Sequence, residues 1–270
     1  MDFGLKGKVA IVTGGSKGIG LGIVCQLLKE GACVVNVGRS AADAADLPDA
    51  AVSNYRFFQG DLVDLSVCQQ SVEHTLQIFG RLDILVNNAG VNDGAGLDAG
   101  PDAFLQSLQR NLLHYYAMAH HASPHLKRSQ GCIINIGSKV CETGQGGTSG
   151  YAASKGAING LTREWAVELA PAGVRVNAVL PAETWTPLYE RCLAAMPDPA
   201  AARAAIETLI PLGRRFTTID ELAAMVVFLA STLSSHTTGQ IIFVDGGYTH
   251  LDRKCTAIGQ INDFGAAAIH

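Results

Sequence analysis

Tyr151 and Lys155 lie four residues apart in Tyr151-Ala152-Ala153-Ser154-Lys155. On a helix this spacing sets both side chains on one face, with an ammonium beside a phenol. A tyrosine phenol ionises near pH ~10, too high for a general base at neutral pH. Lowering that by about three units requires roughly 4 kcal/mol of differential stabilisation of the phenolate, at ~1.36 kcal/mol per unit. Lys155 and a further positive charge on a bound cofactor can supply it. Such a pair alone is an ordinary surface contact on most helices. Its company changes the reading: a glycine-rich turn near the start, Asn87-Asn88-Ala89-Gly90, Asn111, and Ser138 just upstream.

The elements that must position these residues read as an alternation. Short β-branched apolar runs occupy Val9–Thr13, Cys33–Val37, Tyr55–Gln59, Ile84–Asn87, Cys132–Gly137, Val174–Leu180 and Ile241–Val244. Helical patterns lie between them, at Ile19–Glu30, Leu65–Phe79, Asp102–Lys127, Tyr151–Ala170 and Glu221–Thr232. The last begins with a capping box, Thr218-Ile219-Asp220-Glu221. Fully apolar strands alternating with helices predict an α/β fold, a doubly wound parallel sheet of about seven strands covered on both faces. The pattern shows no repeat and no linker, so a single domain is expected over residues 1–270. Two segments depart from the rhythm. Ala41–Ala50 is expected as a loose connection or a frayed helical turn. Pro181 to about Pro211 is long for a connection, and a lid-like insertion is expected around 182–216. The tail, 248–270, is expected to pack on a neighbour or lack order.

Composition narrows the function classes. Twenty Lys+Arg against twenty-four Asp+Glu give a net charge of −4, with no basic run, which argues against nucleic acid and anionic membrane as partners. The chain is 48% hydrophobic and 16% charged, as expected for a large core with further surface buried between subunits. Seven dispersed cysteines form no C-x-x-C pair and read as reduced thiols. With no apolar signal core at the start and no apolar run of ~20 residues, a soluble cytoplasmic protein is expected. His120, His121 and His125 have no further ligand at suitable spacing and read as ordinary helix residues, so no metal is expected.

Val9–Thr13 runs into Gly14-Gly15-Ser16-Lys17-Gly18-Ile19-Gly20 and then a helix, an arrangement that lets backbone approach a pyrophosphate at a helix N-terminus. The strict G-x-G-x-x-G spacing is absent. The spacing Thr13-Gly-x-x-x-Gly18-x-Gly20 instead resembles that of the short-chain dehydrogenase/reductases. Asp61, Asn87–Gly90, Asn111, Ser138, Tyr151, Lys155 and Asp245-Gly246-Gly247 follow in that family's order, so the resemblance covers nearly the whole chain. It implies a Rossmann sheet and a catalytic tetrad of Asn111, Ser138, Tyr151 and Lys155. It implies a cofactor site of Gly14, Ser16, Lys17, Gly18, Ile19, Gly20, Arg39, Ser40, Asp61, Leu62, Asn88, Ala89, Gly90, Tyr151, Lys155, Pro181, Thr184 and Thr186. It also implies a homotetramer, with Tyr151–Ala170 as a contact helix; there Ala157, Ile158, Leu161, Trp165 and Leu169 form an apolar stripe. One position departs from the family: Pro181-Ala182 stands where many relatives have Pro-Gly.

At the end of the second strand, Gly38 stands where relatives that use NAD carry an acid. A carboxylate would repel a ribose 2′-phosphate, whereas Arg39, Lys17, Ser16 and Ser40 can bind one. NADP is favoured, with NAD possible. The segments Gly90–Gly94, Asn111–His120, Gly144-Gln145-Gly146, Thr162–Ala166, Pro181–Glu183, Pro211–Thr218 and Asp245–Arg253 further resemble bacterial sugar dehydrogenases of the L-fucose dehydrogenase type. That resemblance implies a small-molecule sugar substrate, an aldose oxidised at the anomeric carbon to a lactone. Expected substrate residues are Asn92, Asp93, Ser138, Lys139, Gln145, Tyr151, Glu183 and Trp185, a polar set that suits desolvated hydroxyls. Trp185 reads equally as a stacking platform or a lid hydrophobe. Two alternatives stand beside this reading: reduction of a 3-ketoacyl thioester or ketosteroid, and a non-catalytic NADP-binding sensor.

Overall fold

The computed structural model describes residues 2–49 and 51–251. Seven strands, β1 (Val9–Thr13), β2 (Cys33–Gly38), β3 (Tyr55–Gln59), β4 (Ile84–Asn87), β5 (Cys132–Ile136), β6 (Arg175–Pro181) and β7 (Ile241–Val244), form one sheet. Every pairing is parallel, in the order β3-β2-β1-β4-β5-β6-β7. Strand residues alternate between two buried layers, as the two-residue side-chain period requires. Ala10 and Val12 join Ile23, Leu27 and Val226 on one face, whereas Ile11 joins Val72, Met118 and Ile158 on the other.

The helices are α1 (Gly18–Lys29), α2 (Ala51–Asn54), α3 (Ser66–Phe79), α4 (Gly100–Leu108), α5 (His114–Ser129), α6 (Ser149–Leu169), α7 (Pro187–Ala194), α8 (Pro199–Glu207) and α9 (Ile219–Ala230). On one face α1 packs on α9 so closely that a Cβ on Gly22 would lie 2.0 Å from Ile219 Cγ2. The other face carries α3, α5 and α6. At the start of α9 Thr218 and Glu221 exchange both bonds of the expected capping box.

Three expectations change. The helix expected over Asp102–Lys127 is two helices joined by a π-turn, Gln109–Leu113. Periodicity misses this because one extra residue in a turn barely disturbs an apolar stripe. Pro124 lies inside α5 without breaking it, and the His120 carbonyl, whose usual helical donor would be residue 124, accepts from the Ser123 hydroxyl at 3.1 Å. The Pro181–Pro211 stretch contains α7 and α8. Thr186 and Asp198 cap them, and Pro187 and Pro199 stand in their first turns, where a missing N–H costs nothing. The stripe on α6 is buried within its own chain: Ile158, Trp165 and Leu169 belong to the core beside the sheet. Leu161 packs against that core and is partly buried, as is Ala157. The short 3₁₀ turn Ala44–Asp46 accords with the frayed-turn reading of Ala41–Ala50. Of the tail expected over 248–270, residues 248–251 form a turn bonded back to Asp245 and Gly247, and the rest, 252–270 with Cys255, lies outside the described residues.

Candidate active site

In a doubly wound sheet, ligands bind beyond the carboxyl ends of the strands where the strand order reverses. Here that point lies between β1 and β4, and the side chains of Thr13 and Asn88 close it by bonds to backbone groups. Thr13 Oγ1 accepts from the N–H groups of Asn88 (2.9 Å) and Ala89 (3.0 Å), while Asn88 Nδ2 donates to the carbonyls of Thr13 (2.9 Å) and Gly14 (3.1 Å). A Cβ on Gly20 would stand 2.2 Å from the Gly14 carbonyl oxygen, so no other residue fits. Helix α1 then starts with no side-chain cap and no acid in its first turn. Its orphan N–H groups and positive dipole end suit an anion such as a diphosphate. Thr186 lies across this turn, its methyl 3.7 Å from where a Gly18 Cβ would stand. Thr184 Oγ1 is buried beside it with no protein partner, as a ligand's carboxamide would need. These features fit a dinucleotide.

The far end of that cradle is more open. Arg39 and Ser40 are exposed at the end of β2, and Lys17 is exposed on the turn between β1 and α1. Ser16 is already engaged, donating to the Ser40 carbonyl and accepting from Asn36 Nδ2 at 3.0 Å. A Cβ on Gly38 would lie 3.8 Å from Ser16 Oγ, so a side chain there would face the same spot. Asp61 is exposed and accepts from Val63 N–H at 3.1 Å, while Leu62 is buried and Ile19 packs on the core.

The four expected catalytic residues come from four separate segments. Asn111 sits in the π-turn, fully buried. Its Nδ2 donates to the Ser107 carbonyl at 3.0 Å and its Oδ1 accepts from Val91 N–H at 2.7 Å. A Cβ on Gly90 would lie 3.1 Å from Asn111 Oδ1 and 3.6 Å from Lys155 Nζ, so Gly90 passes between the two. Ser138 follows β5 and is hydrogen-bonded to Tyr151 near the start of α6. Lys155, one turn along α6, is buried; its Nζ donates to the Ile136 carbonyl at 2.8 Å and the Tyr115 hydroxyl at 3.2 Å, and lies 5.6 Å from the Tyr151 ring centroid. Burial pulls the Lys155 ammonium down to about 7. The Tyr151 phenol moves up: burial raises it, the Ser138 hydrogen bond offsets this in part, and Cys141 adds to the rise. The chain's own groups therefore do not deliver the depressed phenol that a base needs.

The residues expected around the substrate divide into two groups. Lys139, Glu183 and Trp185 gather beyond β5 and β6. Lys139 Nζ donates to Glu183 Oε1, and the Tyr189 hydroxyl of α7 donates to Glu183 Oε2. The Lys139 ammonium also lies over the Tyr248 ring, 4.0 Å from its centroid. Trp185 and Tyr189 both meet Phe216 edge-on, and Arg203 of α8 covers the Trp185 ring at 4.3 Å. Gln145 is exposed on the loop before α6. Asn92 and Asp93 form the second group, on the loop after β4. Asn92 is exposed and shapes its own turn, accepting from Gly94 N–H at 3.4 Å. Asp93 is turned inward, accepting from Ser107 Oγ at 2.8 Å and pairing with Arg110 at 3.6 Å. A carboxylate so nearly buried must find partners inside the fold, and Asp93 has them. Ser107 in turn accepts from Asn111 Nδ2, so Asp93 connects to the tetrad through Ser107 and not through the Glu183 cluster.

Sequence reasoning missed Tyr115, Ser107, Tyr189 and Tyr248. Tyr115 had a signal, since it stands four residues after Asn111 and so on the same helical side. Ser107 had the same signal, standing four residues before Asn111. Tyr189 meets Glu183 across a strand-to-helix turn and Tyr248 reaches Lys139 from far along the chain, so no periodic spacing exposes those two.

Comparison with known proteins follows the same lines. The family profile described as enoyl-(acyl carrier protein) reductase matches residues 14–249. The L-fucose dehydrogenase of Mus musculus is 40% identical over 243 residues, which covers 89% of this chain and 88% of that protein. The 3-oxoacyl-[acyl-carrier-protein] reductase FabG of Thermotoga maritima is 36% identical over 255 residues, 90% of this chain and 98% of that protein. Among solved structures, the crystal structure of Cj0485 dehydrogenase superimposes with a TM-score of 0.91 at 45% identity, covering 94% of this chain and 98% of that one.

Proposed function

Since the chain belongs to the short-chain dehydrogenase/reductase family and is an oxidoreductase acting on CH–OH groups, we propose that its substrate is an aldopyranose of the L-fucose type, oxidised at the anomeric carbon to a lactone. The observation that carries this reading is the similarity to an L-fucose dehydrogenase along nearly all of both chains. The polar mouth supports it. Lys139, Glu183 and Tyr189 offer ammonium, carboxylate and phenol within one cluster, which matches the several hydroxyls of a pyranose better than a steroid or an acyl chain.

A nicotinamide dinucleotide, the family's cofactor, supplies the hydride acceptor when bound. The residues that would hold it are the Gly14–Gly20 turn and the α1 N-terminus at the diphosphate, with Thr184 and Thr186 at the carboxamide and Lys155 at the ribose. Ser138 orients the reacting sugar oxygen, and Tyr151, in its phenolate form, removes the hydroxyl proton. Lys155 stabilises the phenolate, and Asn111 anchors the path by which the proton reaches solvent. Because burial raises the phenol, this reading ties its deprotonation to added positive charge in the site.

NADP is the favoured cofactor. No acid stands at the end of β2; Arg39 is exposed next to Gly38, whose missing side chain would point at Ser16, and Lys17 is exposed next to Ser16. A homotetramer is the proposed assembly, supported by the exposed apolar residues Leu105, Leu113, Tyr116 and Val167 of the α4–α6 region. Light scattering at micromolar concentration tests it, and a monomer would exclude it.

The deciding assay for the substrate is NADPH production from L-fucose, L-galactose and D-arabinose, which share ring stereochemistry and differ at the far carbon. All three should be turned over. The similarity to FabG keeps a 3-ketoacyl reductase as the competing reading. Brisk reduction of an acyl thioester with no activity on any of the three sugars would establish that alternative.

A further inference from the structure

Tyr115 has no part in the chemistry above, yet it is wholly buried directly behind Lys155. Its hydroxyl donates to the Ile136 carbonyl at 2.9 Å and accepts from Lys155 Nζ at 3.2 Å, while Nζ donates to that same carbonyl at 2.8 Å. The three groups close a triangle at the end of β5. The carbonyl receives two donors, the phenol both gives and accepts, and the ammonium spends two of its three protons. The third remains for the side on which Gly90 and Asn111 lie. Tyr115 is itself held, its ring in the core and its backbone carbonyl accepting from Asn87 Nδ2 at 3.4 Å.

A lysine head on a flexible four-carbon stem does not keep one orientation without such acceptors. We infer that Tyr115 is a positioning residue: with the Ile136 carbonyl it seats the Lys155 ammonium, so that the remaining N–H is presented to the cofactor ribose. The titratable groups around that ammonium are few. Tyr151 lies on its own helix, Cys141 on the turn after β5, and His114 beside Tyr115. Burial drives the His114 imidazole down to about 4, so it is neutral at physiological pH and does not compete for the seat. With Lys155 already near 7, the phenol oxygen is an acceptor the charged form can ill spare.

The inference rests on the dinucleotide reading of the site and not on the identity of the sugar. Its test is Tyr115→Phe, which deletes one oxygen and keeps the ring; a thermal melt establishes that the variant folds. In the cofactor-free chain, Lys155 is followed by carbon-13 NMR of labelled lysine, its resonance assigned by its loss in Lys155→Met. Tyr115→Phe should lower the Lys155 titration midpoint by about one pH unit, a tenfold change in proton affinity. NADP affinity, measured by fluorescence, should fall several-fold in Tyr115→Phe but not fall further when Lys155→Met is already present. An unmoved Lys155 midpoint, or equal losses of affinity in both backgrounds, would reduce Tyr115 to a core residue. Failure of the unmodified protein to bind NADP or NAD would instead count against the dinucleotide reading and leave the NMR result to judge Tyr115.

Discussion

At the ends of β1 and β4 the chain turns on glycines, with two short side chains bonded to backbone, whereas beyond β5, β6 and β7 it turns on charged and aromatic side chains. The first region has almost no side chain to change. Thr13 and Asn88 tie the two strands together, and the close approach at Gly20 admits no Cβ. The second joins Lys139, Glu183, Tyr189 and Tyr248 from four segments, one on α7 and one beyond the Asp245-Gly246-Gly247 turn. Asp245 braces that turn by accepting from Gly247 N–H at 2.8 Å and Thr249 N–H at 2.9 Å. One region can serve a single generic ligand; the other can be rewritten for a new substrate without disturbing the sheet.

The contrast makes ordered predictions. Tyr151→Phe, where the two regions meet, should reduce turnover about 10³-fold or more while NADP binding stays within a few-fold of normal, because only the proton-transferring oxygen is lost. Steady-state rates across pH beside a fluorescence titration check this, and substantial residual activity at any pH would remove Tyr151 from its role. In the cradle, Gly20→Ala should cost roughly 1–3 kcal/mol of stability, since its Cβ meets a carbonyl oxygen that cannot move away. Chemical denaturation measures it; a loss within error would mean that the turn is looser than its contacts imply.

At the mouth, Glu183→Gln removes the charge paired with Lys139 and shared with Tyr189. Sugar kcat/KM should drop about ten- to a hundredfold, the worth of roughly 1–3 kcal/mol, with cofactor affinity unchanged. A parallel loss of NADP affinity would show that the two regions are not separable. Arg39→Ala is smaller and more selective. The Michaelis constant for NADP should rise about tenfold and that for NAD hardly at all, and equal effects on both would return Arg39 to the role of a solvated surface cation. Smallest is Glu221→Gln, at the exposed start of α9. Arg215 and the Thr218 cap hold the Glu221 carboxyl down to about 2, so its contribution is present above the unfolded value near pH ~4.3 and is lost as the pH falls from there towards 2. With the side chain 41% exposed, the loss at neutral pH should stay below about 1 kcal/mol and vanish in acid, as pH-dependent melting would register.

Periodicity and turn chemistry are local, and the features that depend on them were legible in the chain. All seven strands lie within a residue or so of where β-branched runs place them, and α9 begins at its capping box. The glycine turn, the Asn88–Gly90 strand end and the Tyr151–Lys155 helix needed only short spacings, because each is made by residues adjacent in sequence or one helical turn apart. Even α7 and α8 had a readable sign in Thr186-Pro187 and Asp198-Pro199, a capping residue followed by proline.

Folding decided which side chains meet. Asp93 and Glu183 are both polar loop residues, yet one is drawn inward by Ser107 and Arg110 while the other is held at the mouth by Lys139 and Tyr189. Most of the apolar stripe of α6 packs on its own sheet. The phenol of Tyr151 is raised by its burial, a property of the assembled surroundings and not of the Tyr-x-x-x-Lys spacing. Spacing specifies which groups share a face; desolvation and partnership depend on what the rest of the chain brings against that face.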